Sequence, residues 1–256
     1  MSALLLGKHA LVTGGSRGIG YAVAQALLAD GARVTVTGRD QAALDGAAKS
    51  LGGDVHAVPM DVAQPQSVKE GFDLAKQQCG AVDILINNAG QVSSQPFAKT
   101  DEEIWQRTLD VNLSGVFRCT QIALPDMLAA GWGRVVNIAS TAGLVGYAYV
   151  AAYCASKHGV IGLTRALAKE LSAKPISVNA VCPGYTETDM VRQAVATIQR
   201  KTGRTQEEAR AAVTASNPQG RLIQPEEVAN CVMWLCLPGS ESVTGQAISV
   251  SGGEVM

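Results

Sequence analysis

Short runs rich in β-branched residues alternate with longer stretches of helical periodicity along the whole chain. The pattern predicts strands over His9–Thr13, Arg33–Thr37, Asp54–Pro59, Val82–Asn87, Arg134–Ala139, Ile176–Val181 and Ala247–Val250. Val34 and Val36 share one face of their strand, whereas Ile84-Leu85-Ile86 is apolar on both faces, as in a parallel sheet covered on two sides. Helices are predicted from about Gly18 to Asp30, over 40–51 and 65–79, over about 101–129 and 151–173, and over 225–236. Pro125 predicts a bend in the fourth of these, and Pro225 with Glu226 and Glu227 suits the first turn of the last. Strands separated by helices imply right-handed crossovers. The expected fold is α/β, a single domain over residues 1–256 with a doubly wound, parallel, seven-stranded sheet and helices on both faces.

Composition narrows the function. Aromatics are 4% of the chain, so the core must be built from Ala, Val, Leu and Ile. Twenty-one basic and 22 acidic side chains leave a net charge of -1, which argues against nucleic acid or an anionic membrane as main partner. No apolar stretch reaches the ~18 residues a spanning helix needs. The start, MSALLLGKH, lacks the features of a secretory signal, and the six cysteines are scattered with no CxxC pair. A soluble cytoplasmic protein with buried free thiols and no metal is expected.

The first predicted strand runs into Thr13-Gly14-Gly15-Ser16-Arg17-Gly18-Ile19-Gly20. Glycines at 14, 18 and 20 permit a tight turn, close approach to a phosphate, and close helix–strand packing, while the next helix points its free N–H groups at the same place. This is a Rossmann-type dinucleotide turn, spaced TGxxxGxG rather than GxGxxG. With Asn87-Asn88-Ala89-Gly90, Asn112, Ser140, Tyr153-x-x-x-Lys157 and Pro183-Gly184, the chain resembles the classical short-chain dehydrogenase/reductase family over essentially its whole length. The likeness extends to the family's 3-oxoacyl-thioester reductase and ketoreductase branch.

The resemblance implies that Gly14, Ser16, Arg17, Gly18, Ile19 and Gly20 line a nicotinamide cofactor. Asp61 and Val62 would flank the adenine, and Asn88, Ala89 and Gly90 would line the cofactor under the sheet. Pro183, Gly184, Thr186 and Thr188 would pass the nicotinamide, with the Thr186 backbone and Thr188 hydroxyl on its carboxamide. At the end of the second strand Gly38 stands where NAD-preferring relatives place Asp. Arg39 can pair bidentately with a ribose 2′-phosphate and Arg17 can approach it, so NADP(H) is expected over NAD(H). Asp40 would blunt Arg39.

Tyr153 and Lys157 are one helical turn apart and share a face. An ammonium ~4 Å from the phenol would lower its pKa by roughly three units from about 10, making it an acid in ketone reduction and a base in alcohol oxidation. Tyr147 and Tyr149 have Ala151 and Tyr153 at their +4 positions and gain no such cation, and His158 reads as a helix-face residue. Ser140, at the carboxyl end of its strand, would hold the substrate oxygen. Asn112 is mid-helix, an unfavourable place unless its amide is used; the resemblance implies that it holds a water linking Lys157 to solvent.

Residues 189–221 form a segment longer than many ketoacyl-reductase relatives have, and are expected to be a substrate lid. Arg192, Arg200, Lys201, Arg204, Arg210 and Arg221 outnumber Asp189, Glu207 and Glu208 there. That surplus either attracts the phosphates of coenzyme A or forms a solvated face in which Arg200 and Arg204 exchange partners with Glu207 or Glu208. Ala129-Ala130-Gly131-Trp132-Gly133, with only Arg134 following, lacks the basic residues that carrier-protein-dependent relatives tend to place there for docking, favouring a CoA thioester or a free ketone, the former being the leading expectation. The alternative substrate is a bulky cyclic, aromatic or terpenoid ketone or alcohol. A non-catalytic NADP-binding protein is a third reading, disfavoured because all four catalytic side chains are present. The resemblance also implies a homotetramer built through 101–129, 151–173 and the last strand.

Overall fold

The computed structural model describes residues 3–256. Its strands are β1 His9–Thr13, β2 Arg33–Gly38, β3 Val55–Pro59, β4 Ile84–Asn87, β5 Gly133–Ile138, β6 Ile176–Pro183 and β7 Ala247–Val250. They form one sheet in the order β3-β2-β1-β4-β5-β6-β7, and each neighbouring pair is parallel. Alternation along the strands divides the core. Ala10, Val12, Val34, Val36, Ile84 and Ile86 face α1 (Gly18–Ala29) and α9 (Pro225–Cys236). Leu11, Leu85, Val135 and Val178 face α3 (Pro65–Cys79) and α5 (Gly115–Ala130) on the other side. This is the doubly wound, single-domain architecture that the hydrophobic pattern predicts. α2 (Gln41–Leu51) and α6 (Ala151–Glu170) complete the layers. The order in which strands are added reverses between β1 and β4, opening a crevice at the carboxyl ends of the strands where such sheets bind ligands.

Two predicted elements change form. The single helix expected over 101–129 is broken: α4 (Glu102–Leu109) and α5 are joined by a π-helical turn at Asp110–Ser114. The irregularity falls at Asn112, and Pro125 lies within α5. A π-bulge inserts one residue into the helical ladder and turns a side chain off its regular face, and Asn112 is the residue so turned. The polar segment after β6 carries two helices, α7 (Asp189–Thr202) and α8 (Gln206–Thr214). Their apolar stripes meet in a small separate core of Val191, Val195, Ala209, Val213 and Leu222. Thr205 and Glu208 close a reciprocal capping box at the start of α8.

Candidate active site

The turn after β1 is built for close approach. Gly14 adopts φ 64°, and a Cβ at Gly20 would collide with the Gly14 carbonyl and the Asn88 amide. α1 begins with no side-chain cap and no acidic residue in its first turn. Its leading N–H groups and positive dipole end therefore point into the crevice uncompensated, which suits a phosphate. Beneath the turn, Thr13 Oγ1 accepts from the N–H groups of Asn88 at 2.9 Å and Ala89 at 3.0 Å. Asn88 Nδ2 donates to the carbonyls of Thr13 at 2.9 Å and Gly14 at 3.0 Å. The Asn88 side chain thus holds the turn from below. Thr13 opens the TGxxxGxG motif but is not among the expected site residues, because its role is to hold Asn88 and Ala89, which only the folded sheet brings to it.

At the end of β2, a Cβ on Gly38 would make only ordinary contact with Leu44, 3.5 Å away. The backbone does not require glycine there, so its missing side chain leaves space. Asp40 accepts from Ala43 N–H at 3.1 Å as the cap of α2, which leaves Arg39 exposed rather than blunted. Arg17 is exposed and pairs with Asp189 at 3.4 Å. Asp61 accepts from Ala63 N–H at 3.0 Å, and Val62 is buried against Gly115.

Further along the crevice, Ser140 follows β5 and accepts from Ala142 N–H at 3.1 Å, capping a short turn over Thr141–Gly143. Tyr153 is half-buried as a residue, but its hydroxyl is deep enough that desolvation pushes its pKa up to about 12, partly opposed by a hydrogen bond with Ser140. This corrects the expectation of a phenol lowered by a nearby cation. Lys157 Nζ lies 5.7 Å from the Tyr153 ring centre and donates to the Ile138 carbonyl at 2.7 Å. Burial lowers Lys157 itself to about 8, so it remains mostly an ammonium at neutral pH. Tyr147 is removed as a rival: its hydroxyl donates to Thr141 Oγ1 at 3.0 Å and Glu254 Oε1 at 2.6 Å, and burial together with the Glu254 carboxylate raises its pKa strongly, against a smaller lowering by Thr141. His158 is an exposed helix residue bonded to the Cys154 carbonyl.

Asn112 is fully buried. Its Oδ1 accepts from Gln91 N–H at 2.9 Å and its Nδ2 donates to the Gln91 carbonyl at 2.8 Å and to Ser156 Oγ at 3.2 Å. The amide is used, as its mid-helix position predicts, but its partners are protein groups that tie the strand-following segment at Gly90-Gln91 to α6. Gly90 lies where a Cβ would come 3.5 Å from Asn112 Oδ1 and 3.8 Å from Lys157 Nζ, so these three residues adjoin.

After β6, Gly184 N–H donates to the Val250 carbonyl at 3.0 Å, and buried Thr186 bridges to Ile223. Thr186 Oγ1 donates to the Gly184 carbonyl at 3.0 Å, and Thr188 Oγ1 to the Thr186 carbonyl at 3.2 Å. A Cβ at Gly18 would lie 3.1 Å from Thr188 Cγ2, so the glycine turn and this segment meet. Pro183 ends β6 inside the core. The basic surplus of 189–221 is partly neutralised. Glu187, outside the predicted segment, pairs with Arg192 at 3.4 Å and Arg210 at 2.6 Å, while Arg221 pairs with Glu227 at 2.6 Å. Glu208 is engaged in capping, not in exchange with Arg200 or Arg204.

A sequence model of the short chain dehydrogenase family matches residues 8–199. The chain is 38% identical over 257 residues to a 3-oxoacyl-[acyl-carrier-protein] reductase of Aquifex aeolicus, covering 99% of each. It is 42% identical over 252 residues to a putative ketoacyl reductase of Streptomyces coelicolor, covering 95% of each. Among solved structures, a variant of actinorhodin polyketide ketoreductase crystallised with NADPH superposes with a TM-score of 0.94 at 40% identity, over 99% of both chains.

Proposed function

The chain belongs to the short-chain dehydrogenase family, and from that premise we propose that it is an NADPH-dependent reductase of a 3-oxoacyl thioester, of the CoA type, forming the 3-hydroxyacyl product. The observation that carries this reading is the adjacency of Ser140, Tyr153 and Lys157 at one end of a crevice whose other end is a glycine cradle under an uncapped helix. Exposed Arg39 beside the open position at Gly38 suits a 2′-phosphate, and the ketoreductase of similar structure was crystallised with NADPH.

The nicotinamide, when bound, supplies the hydride that reduces the carbonyl carbon. The chain supplies the rest. Ser140 holds the substrate oxygen, and Tyr153, a neutral phenol throughout the physiological range, gives that oxygen its proton. Lys157 keeps a positive charge beneath the site, which stabilises the phenolate left behind. Thr186 and Thr188 would hold the carboxamide and Asp61 and Val62 would flank the adenine, while Asn112 acts by positioning Gln91 and α6. Residues 189–221 serve as the lid.

Docking of a carrier protein at the Trp132 corner has little support. Lys8 and Arg134 are turned onto the Trp132 ring, 3.9 and 4.6 Å from its centre, and Arg134 is buried. A cyclic or aromatic ketone is the second reading, favoured by the likeness to a polyketide ketoreductase and by tyrosines around the reacting end. Exposed Phe117 and Leu128 on α5 and Trp234 on α9 support a homo-oligomer, expected to be a tetramer. None of the helices among the described residues is long and apolar enough to cross a membrane, and the free, mostly buried cysteines fit the reducing, cytoplasmic location expected from the sequence.

Initial rates with acetoacetyl-CoA and with β-tetralone, each against NADPH and NADH, test the reading. Fast thioester reduction with NADPH is expected. Turnover of β-tetralone alone would replace the thioester by the ring ketone, and an NADH preference would overturn the role given to Arg39.

A further inference from the structure

Aromatic residues are 4% of this chain, yet Tyr147, Tyr153 and Tyr185 are close enough to act on one another at the reacting end, and Tyr149 lies on the loop between the first two. Tyr149 differs from the others. It is the one described non-glycine residue with positive φ, at 68°, a left-handed conformation that is strained for a bulky side chain. The strain is imposed from both sides of the loop. Gln95 N–H donates to the Tyr149 carbonyl at 2.8 Å, drawing the backbone toward the segment that follows β4. Two residues earlier, Tyr147 is pinned by its N–H on Cys154 Sγ at 3.4 Å and by its hydroxyl on Thr141 and Glu254.

Such strain is ordinarily offset by packing of the side chain concerned. Here the Tyr149 residue is 64% exposed, so the free protein gains little from its ring. Glycine would satisfy the same backbone without cost. The position therefore carries an aromatic ring against the local preference of the fold, on the loop that leads into α6 and four residues before Tyr153.

We infer that Tyr149 is a specificity residue whose ring stacks on a flat, conjugated portion of the substrate beyond the reacting carbonyl. This rests on the reductase reading and sharpens its choice of substrate: a ketone carrying a planar ring gains from Tyr149, and a short aliphatic thioester does not. Offset stacking on an exposed ring strengthens binding without altering the hydride or proton step, so the effect falls on KM rather than kcat.

The test compares the full-length protein with its Tyr149→Gly and Tyr149→Phe variants in thermal melts and in NADPH-dependent reduction of β-tetralone and acetoacetyl-CoA. Tyr149→Gly relieves the backbone and is expected to melt roughly 2–4 °C higher. It should reduce β-tetralone about tenfold less efficiently, through KM, with acetoacetyl-CoA unaffected. Tyr149→Phe keeps the ring and should keep the β-tetralone KM. If the glycine variant does not fold, Tyr149→Asn, which also tolerates left-handed backbone, takes its place. Unchanged KM values in a stabilised glycine variant would overturn the inference, as would an equal loss on both substrates, the mark of a scaffolding role. A wild-type protein that reduces acetoacetyl-CoA but not β-tetralone would overturn it while leaving the reductase reading intact. A protein that reduces neither would remove both.

Discussion

The two walls of the crevice are held by opposite means. On the glycine-turn side, neutral hydrogen bonds between Thr13, Asn88 and Ala89 fix the backbone from beneath, at 2.9 to 3.0 Å and largely out of solvent. On the side of residues 187–221, ion pairs do the holding, and they are exposed: Arg17–Asp189, Arg192–Glu187, Arg210–Glu187 and Arg221–Glu227. A buried donor that loses its partner bears its full desolvation cost, whereas an exposed pair exchanges with water and salt at little cost. The first wall is therefore preorganised for a ligand of fixed shape, and the second can be rearranged around a variable one. Arg17 touches both, because it leads α1 and pairs with the first residue of α7.

Removing the proposed chemistry without touching either wall produces the largest effect. Tyr153→Phe should lower kcat by roughly 10²–10⁴ while NADPH still quenches protein fluorescence with wild-type affinity. Near-full activity in this variant would take Tyr153 out of the mechanism. The next largest effect breaks the fixed wall. Thr13→Val is nearly isosteric but strands the N–H of Ala89 and leaves that of Asn88 only its 3.1 Å bond to the Ile86 carbonyl, at a cost of roughly 1–3 kcal/mol in a chemical denaturation curve. NADPH affinity should fall with it, since the glycine turn loses its floor. A variant as stable as wild type would mean that the turn is held by something other than these bonds.

How much of this was legible beforehand depends on whether a feature lives in local pattern or in tertiary contact. The strands and the glycine turn are local, because β-branched runs and glycine spacing act within a few residues, and the alternation with helices implies parallel pairing without giving the strand order. β1, β7, α3 and α9 come where the pattern puts them, and α1, α2 and α6 differ by one to three residues at an end. The break at Asn112 was not legible. A π turn there depends on Gln91, 21 residues away, which captures the asparagine amide. The Tyr153 environment failed for a related reason: helical spacing brings Lys157 to the same face, but only the folded core decides that its ammonium turns to the Ile138 carbonyl and that burial dominates the phenol. Glu187 escaped notice because it stands just before the basic segment it neutralises.

Lys157 offers a way to ask what the rigid side costs. Its ammonium is almost completely buried, and its pKa is lowered from 10.5 to about 8. Below pH 8 the lysine is charged in both folded and unfolded chains, and the folded state bears the whole burial penalty. Between pH 8 and 10.5 the folded amine is neutral while the unfolded chain still binds the proton, so stability from this group rises with pH. Lys157→Met should therefore be inactive yet more stable at pH 7, by roughly 1–2 kcal/mol once the lost bond to Ile138 is counted. Its advantage should shrink as pH climbs through that window. An advantage that stays constant with pH would show that the buried charge is not its source.

The smallest effect is expected on the movable wall. Glu187→Gln leaves Arg192 and Arg210 without their shared carboxylate, but both guanidinium groups are more than half exposed. Exposed pairs of this kind contribute about 0–1 kcal/mol, so the melting temperature should move by less than about 2 °C. The readable change is local. With its ionic ties loosened, the segment carrying Arg200, Lys201 and Arg204 should be cut faster by trypsin, while the strands and the glycine turn stay intact. High salt should reproduce the faster cutting in the wild-type protein, because screening acts on exposed charges and leaves the bonds of Thr13 and Asn88 alone. If salt or Glu187→Gln instead weakened NADPH binding as much as Thr13→Val does, the two walls would be a single cooperative unit, and the division between a fixed and a movable side would not hold.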